Sequence, residues 1–282
     1  CWVWTGTGVA EIAHHVENGV YDRLSIQYLN SCKTDNYACC GGNLTEYASW
    51  YTSRTIMVPW DNSNASYADD GSFCEGSSPI SCSSISTTPN YQLQNTVAAE
   101  TISTHYGQAN AVANIKNILN QNRGIYWSFG LPDRNAWYDF YDYWNYSGET
   151  SLWNDLDNYC GQVYNYDPNE GGYHAVLIVG YNDNDSNPAN HYWIVLNSWG
   201  TALGGRPNGL FRIPMYFDYD CWYEAGSYDR WAFRFQTLDI NFSSDDVEDP
   251  TITVNDPNGG ETWQAGTTHS ILWSASDNVG VT

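Results

Sequence analysis

Apolar positions in the first half of the chain follow helical spacing. Val9, Ile12, Ala13 and Val16 recur at i, i+3, i+4, i+7, which predicts a helix over 1–18 that ends at Asn18-Gly19. Gly6 and Gly8 weaken its first turns. Shorter helical pieces are expected at 24–32 and 44–53. The clearest helix spans 108–122, with Val112, Ile115, Ile118 and Leu119 on one face and Arg123-Gly124 as its stop. From there the pattern changes. Residues 125–131 (IYWSFGL) read as a strand, and 174–182 (HAVLIVGYN) is apolar without alternation, as in a strand covered on both faces. Further strands are expected at 191–200 and 209–215, the first able to pair with 174–182 across the loop 182–190. Residues 60–95, rich in Ser, Asn, Asp, Gly and Pro, predict a long loop layer held by Cys74 and Cys82. Residues 132–172 form an aromatic, acidic insert with no clear period. Helices first and strands later indicate an α+β fold rather than a doubly wound sheet.

The pattern shifts again at 243–250 (SSDDVEDP), an acidic linker. Beyond it, Ile252/Val254 and Ile271/Trp273 alternate like short strands around the Asn258-Gly259 turn. A β-sandwich takes about seven strands and about 100 residues, so 251–282 is expected to be the first strands of a truncated Ig-like domain. The expected division is 1–242, 243–250 and 251–282. The chain opens at Cys1 with neither an initiator Met nor a signal peptide, which reads as a processed or trimmed product.

Composition narrows the function classes. The 282 residues carry 10 Lys+Arg against 32 Asp+Glu, a net charge of −22. Such a charge opposes binding to a polyanion, so no nucleic-acid partner is expected. An aromatic content of 16% opposes disorder. No apolar run approaches the roughly 18 residues of a membrane span. The eight cysteines (Cys1, Cys32, Cys39, Cys40, Cys74, Cys82, Cys160 and Cys221) form no CxxC pair or Cys/His cluster, so disulfides in a secreted or extracellular protein are expected rather than a metal site. Sequons at Asn43, Asn64, Asn145, Asn184 and Asn241 fit that compartment. The acidic 245–249 reads as a solvated linker, not a calcium loop, and no Gly-rich phosphate loop appears, so no cofactor is called for. His14 and His15 read as ordinary packing or surface residues, and the aromatics of 132–166 as the lining of a lobe surface.

A cysteine nucleophile needs a lowered pKa, a base and a group that orients the base. Cys1 lies where a helix begins, which favours a thiolate. His174 opens a buried strand, and Asn197 closes the next one, with Trp199 beside it. At this point the residues resemble a known family. CWVW (1–4) is similar to the Cys-Trp of papain-like cysteine peptidases, and SIQYLNSC (25–32) to their Ser-Glx-Gln-x-Leu-x-x-Cys. CCGGN (39–43) resembles their Cys-x-Gly-Gly, HAVLIVGY (174–181) their His-Ala-Val strand, and YWIVLNSWGTALGG (192–205) their Asn-Ser-Trp-Gly segment. The order agrees, and so do the separations of 31 residues from Cys1 to Cys32 and 38 to Cys39. The resemblance covers roughly residues 1–225.

That resemblance implies a two-lobed α+β fold, a helical lobe led by Cys1 and a β-rich lobe carrying His174 and Asn197. It implies an endopeptidase acting on an extended polypeptide through a thioester on Cys1, with His174 as base and acid and Asn197 as its orienter. Gly41 and Gly42 would pair with the substrate backbone, and Trp199 would cover the His–Asn contact and border the leaving-group side of the substrate site. A side-chain pocket beside Gly42 would include Leu44. The resemblance further implies a Cys160–Cys221 disulfide and a partner for Cys32 in Cys74 or Cys82. Cys39 matches a family cysteine whose partner lies three residues before the nucleophile, so an upstream fragment or propeptide held at Cys39 is expected; Cys40 is extra to the pattern. Leu203 replaces a frequent Trp, and the family's oxyanion Gln, six residues before the nucleophile, has no counterpart in the chain as it begins. The alternative reading is therefore a catalytically weak or inactive module used for binding or assembly, and a third is acyl transfer on the same residues.

Overall fold

The computed structural model describes residues 1–34, 38–69, 78–94, 96–165, 172–201, 205–226, 228–243 and 251–276. They fall into two units, Cys1–Phe242 and Ser243–Thr282. In the first, helix α1 (Trp2–Asn18) is followed by α2 (Ile26–Cys32), α3 (Leu44–Arg54) and the short strands β1 (Ile56–Met57) and β2 (Tyr91–Gln92). Then come β3 (Ala98–Thr101), α4 (Gln108–Leu119), β4 (Ile125–Leu131), α5 (Arg134–Tyr146), β5 (Gly172–Asn182), β6 (Tyr192–Leu196) and β7 (Leu210–Pro214). The unit closes with β8 (Trp222–Ala225), β9 (Tyr228–Trp231) and β10 (Phe233–Asp239).

Each helix begins and ends where its local chemistry allows. Gly19, at φ 70°, stops α1 in the left-handed conformation that costs glycine least. The side chains of Ser25, Asn43 and Asp133 accept the backbone N–H of Tyr28, Glu46 and Ala136 and so cap α2, α3 and α5. Asn43, the first residue of a sequon, thus spends its amide as a helix cap, its Nδ2 donating to Glu46 Oε1.

Six strands form one antiparallel sheet in the order β3-β10-β4-β5-β6-β7. The sheet divides two hydrophobic cores. On one face Trp127, Phe129, Val176, Ile178, Phe233 and Phe235 join α4, α5 and Trp193 in an aromatic core. On the other face Tyr126, Ala175, Leu177 and Leu238 pack with α1, α2 and α3. Strands β4 and β5 are covered on both sides, which is why neither alternates apolar with polar.

Several expectations need correction. The aromatic insert contains a helix, α5: Ala136, Phe140 and Trp144, spaced at i, i+4, i+8, are buried, while Tyr138, Tyr141 and Tyr146 are exposed. Aromatic residues on both faces hide the helical period. The fully buried Arg206 closes this helix: its Nε, Nη1 and Nη2 donate to the carbonyls of Trp144, Leu210 and Tyr143 at 2.8, 2.8 and 3.0 Å, and its guanidinium lies over the Tyr143 and Trp144 rings. Strand β10, unforeseen from sequence, lies inside the sheet between β3 and β4. On α1, Val16 is exposed, and the buried residues run from Trp2 to Ala10 and include His14, which stacks on Phe242. Leu44 is fully buried in the helical core.

Two disulfides join described residues: Cys32–Cys82, which decides between the two partners left open for Cys32, and Cys160–Cys221. Cys40 is also disulfide-bonded. Cys74 and Leu203 lie outside the described residues, as does the linker 244–250.

In the second unit β11 (Thr251–Asp256) pairs antiparallel with β12 (Leu272–Ser276). Ile252, Val254, Leu272 and Trp273 are exposed on it. Two strands alone cannot bury an apolar face.

Gly6 and Gly8 have a packing reason that outweighs their cost in helix propensity. A Cβ on Gly6 would stand 2.7 Å from Tyr47 Cδ2, and one on Gly8 2.8 Å from Leu177 Cδ2. Tyr47 is fully buried and donates its hydroxyl to Thr7 Oγ1 at 3.2 Å, so it has little room to retreat. Gly6→Ala is expected to lower stability by about 1–3 kcal/mol through overpacking, although Ala is the better helix former. Urea unfolding of the two proteins measures the difference; an equal or higher midpoint for Gly6→Ala would contradict the close packing.

Candidate active site

Cys1 is exposed and is the N-cap of α1, its carbonyl accepting from Thr5 N–H and Oγ1. It is the free cysteine among the described residues. The next residue anchors it: Trp2 is buried, and its Nε1 donates to Ala38 O at 2.6 Å. The Trp2 ring also fixes the glycine pair. A Cβ on Gly42 would lie 2.6 Å from Trp2 Cε2, so only glycine fits there, and Gly41 sits at φ 99°. Gly42 therefore presents its backbone against the indole, with Gly41 before it, at the same opening as Cys1.

His174 stands on β5 opposite Phe129 of β4, on the aromatic face of the sheet. Asn197 follows β6 and is buried, its N–H bonded to Gly209 O at 3.0 Å. His174 Nε2 and Asn197 Oδ1 are 2.8 Å apart. Ser198 N–H donates to the same Oδ1 at 2.9 Å. Two donors converging on one atom identify it as the amide oxygen, so Nε2 carries the proton and Nδ1 holds the lone pair. Asn197 Nδ2 is buried without a partner among the described residues. Trp199 lies over His174 with ring centroids 4.7 Å apart, and Phe129, Phe140 and Trp137 surround the imidazole on other sides.

Cys1, Gly41, Gly42 and His174 line one open cavity of about 350 Å³. Its other walls are Trp2, Cys40, Asn43, Tyr126, Ser128, Tyr173, Ala175, Arg230, Arg234 and Gln236. Neither Leu44 nor Trp199 is among them: Leu44 belongs to the core under α3, and Trp199 sits behind the imidazole, over its contact with Asn197. Sequence reading missed Ser128, Tyr173, Arg230, Arg234 and Gln236. The alternation of Phe233, Phe235 and Thr237 in β10 was the available signal for the last two. No hydrogen bond joins Cys1 to His174. Among the described residues no cluster of three or more His, Cys, Asp or Glu is placed to hold a metal ion.

Burial lowers the His174 imidazole to about 3, with the Asn197 hydrogen bond opposing that shift. The site thus favours the neutral ring, and an imidazolium can persist there only opposite an anion, the role a Cys1 thiolate would fill. In a Cys1→Ala variant, His174 is expected to stay neutral down to about pH 3, followed by its NMR titration. Because this value lies below the 6.5 of an ordinary His, the unfolded chain takes up the proton first. That contribution to stability is complete above pH 6.5 and is lost as the pH falls from 6.5 toward about 3, approaching about 1.4 kcal/mol per pH unit. A His174→Gln variant should lose that part of the pH dependence of unfolding; a ring titrating near 6.5 in Cys1→Ala contradicts the assignment.

Comparison with known proteins places this geometry. Residues 147–228, which include His174, Asn197 and Trp199, match the family described as "Papain family cysteine protease". Human cathepsin O is 25% identical over 209 residues, covering 72% of this chain and 51% of its own. Cysteine proteinase 5 of Dictyostelium discoideum is 28% identical over 220 residues, covering 72% and 53%. The chain thus spans about half the length of these relatives. Among solved structures, the proform of the ragweed pollen allergen Amb a 11 cysteine protease superposes with a TM-score of 0.52 at 16% identity, over 84% of this chain and 59% of its own. At that identity the likeness speaks for the fold, and the family match covers the part of the chain that holds the His–Asn pair. Over residues 147–228 the chain is thus similar to the papain family of cysteine proteases.

Proposed function

We propose that the protein is a cysteine endopeptidase of an oxidising, extracellular compartment, with Cys1 as nucleophile, His174 as base and acid, and Asn197 as the group that orients His174. One observation carries this reading: the His174–Asn197 bond leaves Nδ1 as the basic nitrogen of a ring that shares its cavity with the free thiol of Cys1. The disulfides Cys32–Cys82 and Cys160–Cys221 support the compartment. No helix among the described residues is long and apolar enough to cross a membrane.

The chemistry follows from these placements. Nδ1 takes the Cys1 proton, giving a thiolate beside an imidazolium, each offsetting the desolvation of the other. The start of α1 adds its positive end at the sulfur. The thiolate attacks the scissile carbonyl carbon, and the C–N bond breaks as Nδ1–H protonates the leaving amine. A thioester remains. Water, deprotonated by Nδ1, then attacks it, releasing the carboxylic acid and restoring the thiol. An extended substrate would run along Gly41 and Gly42, where no side chain blocks the backbone. Asn197 and Trp199 act on the ring rather than the substrate, holding its tautomer and keeping water from the Nε2 contact. The exposed apolar residues of β11 and β12 support reading 251–282 as strands of a larger Ig-like appendage.

A thiol-directed epoxide should label Cys1 in the reduced protein, and Cys1→Ala or His174→Ala should abolish peptide hydrolysis. Asn197→Ala should lower kcat by about 100-fold with a smaller effect on KM, since it misplaces the base without touching substrate. Mass spectrometry of the labelled protein reads the first result and steady-state kinetics the others. An unlabelled Cys1 in the folded chain would overturn the enzyme reading in favour of a binding or assembly module. Product analysis with an added amine separates hydrolysis from acyl transfer.

A further inference from the structure

The cavity that holds Cys1 and His174 carries fixed charge of one sign. Among the described residues Arg230 and Arg234 line it and no Asp or Glu does, in a chain with 10 Lys+Arg against 32 Asp+Glu. The two arginines are held differently. Arg230 lies over the rings of Tyr164 and Tyr173, at 5.4 and 5.1 Å, and so packs into an aromatic wall. Arg234 is exposed and forms no ion pair among the described residues.

Sheet register places Arg234 on the cavity floor. It is paired with Ser128 across β10 and β4, and Ser128 is paired with Ala175 across β4 and β5. Directly paired residues share a face, so the three make one row on the side of the sheet that packs against α1, one residue along β5 from His174. The next row is Gln236, Tyr126 and Leu177. The floor thus offers a guanidinium, an amide and a hydroxyl around the small Ala175. Tyr126 is held protonated: burial raises its hydroxyl, with Glu46 adding to the shift and Arg234 opposing it. Glu46 itself lines the adjoining groove rather than the cavity, and its Oε1 accepts from Asn43. An apolar side chain entering here would desolvate Arg234 without giving it a partner. A carboxylate would supply that partner in the forked geometry a guanidinium favours.

We propose that Arg234 sets the substrate preference of this cavity, selecting peptides with Asp or Glu at one of the three residues before the scissile bond. The proposal rests on the peptidase reading of Cys1 and His174. The net charge of −22 repels acidic peptides at long range, so the selection is local to the cavity.

The test is a peptide library varied at each of those three positions, cleaved by the full chain and by Arg234→Glu. At one position Glu or Asp should exceed Leu in kcat/KM by about tenfold or more in the wild type, and in Arg234→Glu the Glu-to-Lys ratio at that position should invert. Inversion of a ratio cannot come from partial misfolding. Apolar preference at all three positions, or an unchanged ratio in Arg234→Glu, overturns the inference while leaving the peptidase reading intact. If no peptide is cleaved and Cys1 resists labelling, the peptidase reading fails instead. Equilibrium binding of the Glu, Leu and Lys peptides to Cys1→Ala then decides the pocket: tightest binding of Glu supports the role of Arg234, and equal binding overturns it.

Discussion

The packing of α1 against β5 is the contact on which the candidate site depends. Ala175 and Leu177 face the helix, while Val176 and Ile178 face the aromatic core on the other side of the sheet. Because β5 is gripped on both faces, its register is fixed, and a one-residue slip would exchange the two sets. His174 lies on this strand and Cys1 at the start of this helix. The two reach one cavity because helix and strand lie close, and Gly8 of α1, against Leu177 of β5, permits that approach. Any side chain at Gly6 or Gly8 would push into Tyr47 or Leu177. Glu17 ties the end of the unit to the same helix by accepting Phe242 N–H at 2.8 Å.

Around His174 the fold sets two effects against each other. Aromatic burial disfavours the charged ring, and the Asn197 bond favours it and holds its tautomer. The result is an imidazole kept neutral by burial, with its tautomer held by the amide. Trp199 contributes to both, closing the ring off from water while leaving the cavity side open. The same economy appears at Arg206, whose charge is buried but satisfied by two carbonyls at the end of α5 and that of Leu210 in β7.

The helices with a single apolar face were readable from spacing: α4, and α1 with its stop at Gly19. So were β4 and β5, whose uninterrupted apolar runs announce burial on two sides. Spacing failed at α5 because Trp, Tyr and Phe occupy both its faces, so that hydrophobicity alone does not separate inside from outside. It also failed at β10, whose place in the sheet arises from pairing with β3 and β4, each more than 100 residues away in sequence.

The cysteine, histidine and asparagine candidates were legible as residue types in a recurring order, since chemistry restricts which side chains can serve as nucleophile, base and orienter. The choice of Cys82 over Cys74 as the partner of Cys32, the burial of Leu44 away from the cavity, and the row of Arg234, Ser128 and Ala175 were decided only by tertiary structure. The reason is physical: a local pattern reports which face of an element is buried. Which groups from distant elements share a cavity depends on the register and packing that the whole fold imposes.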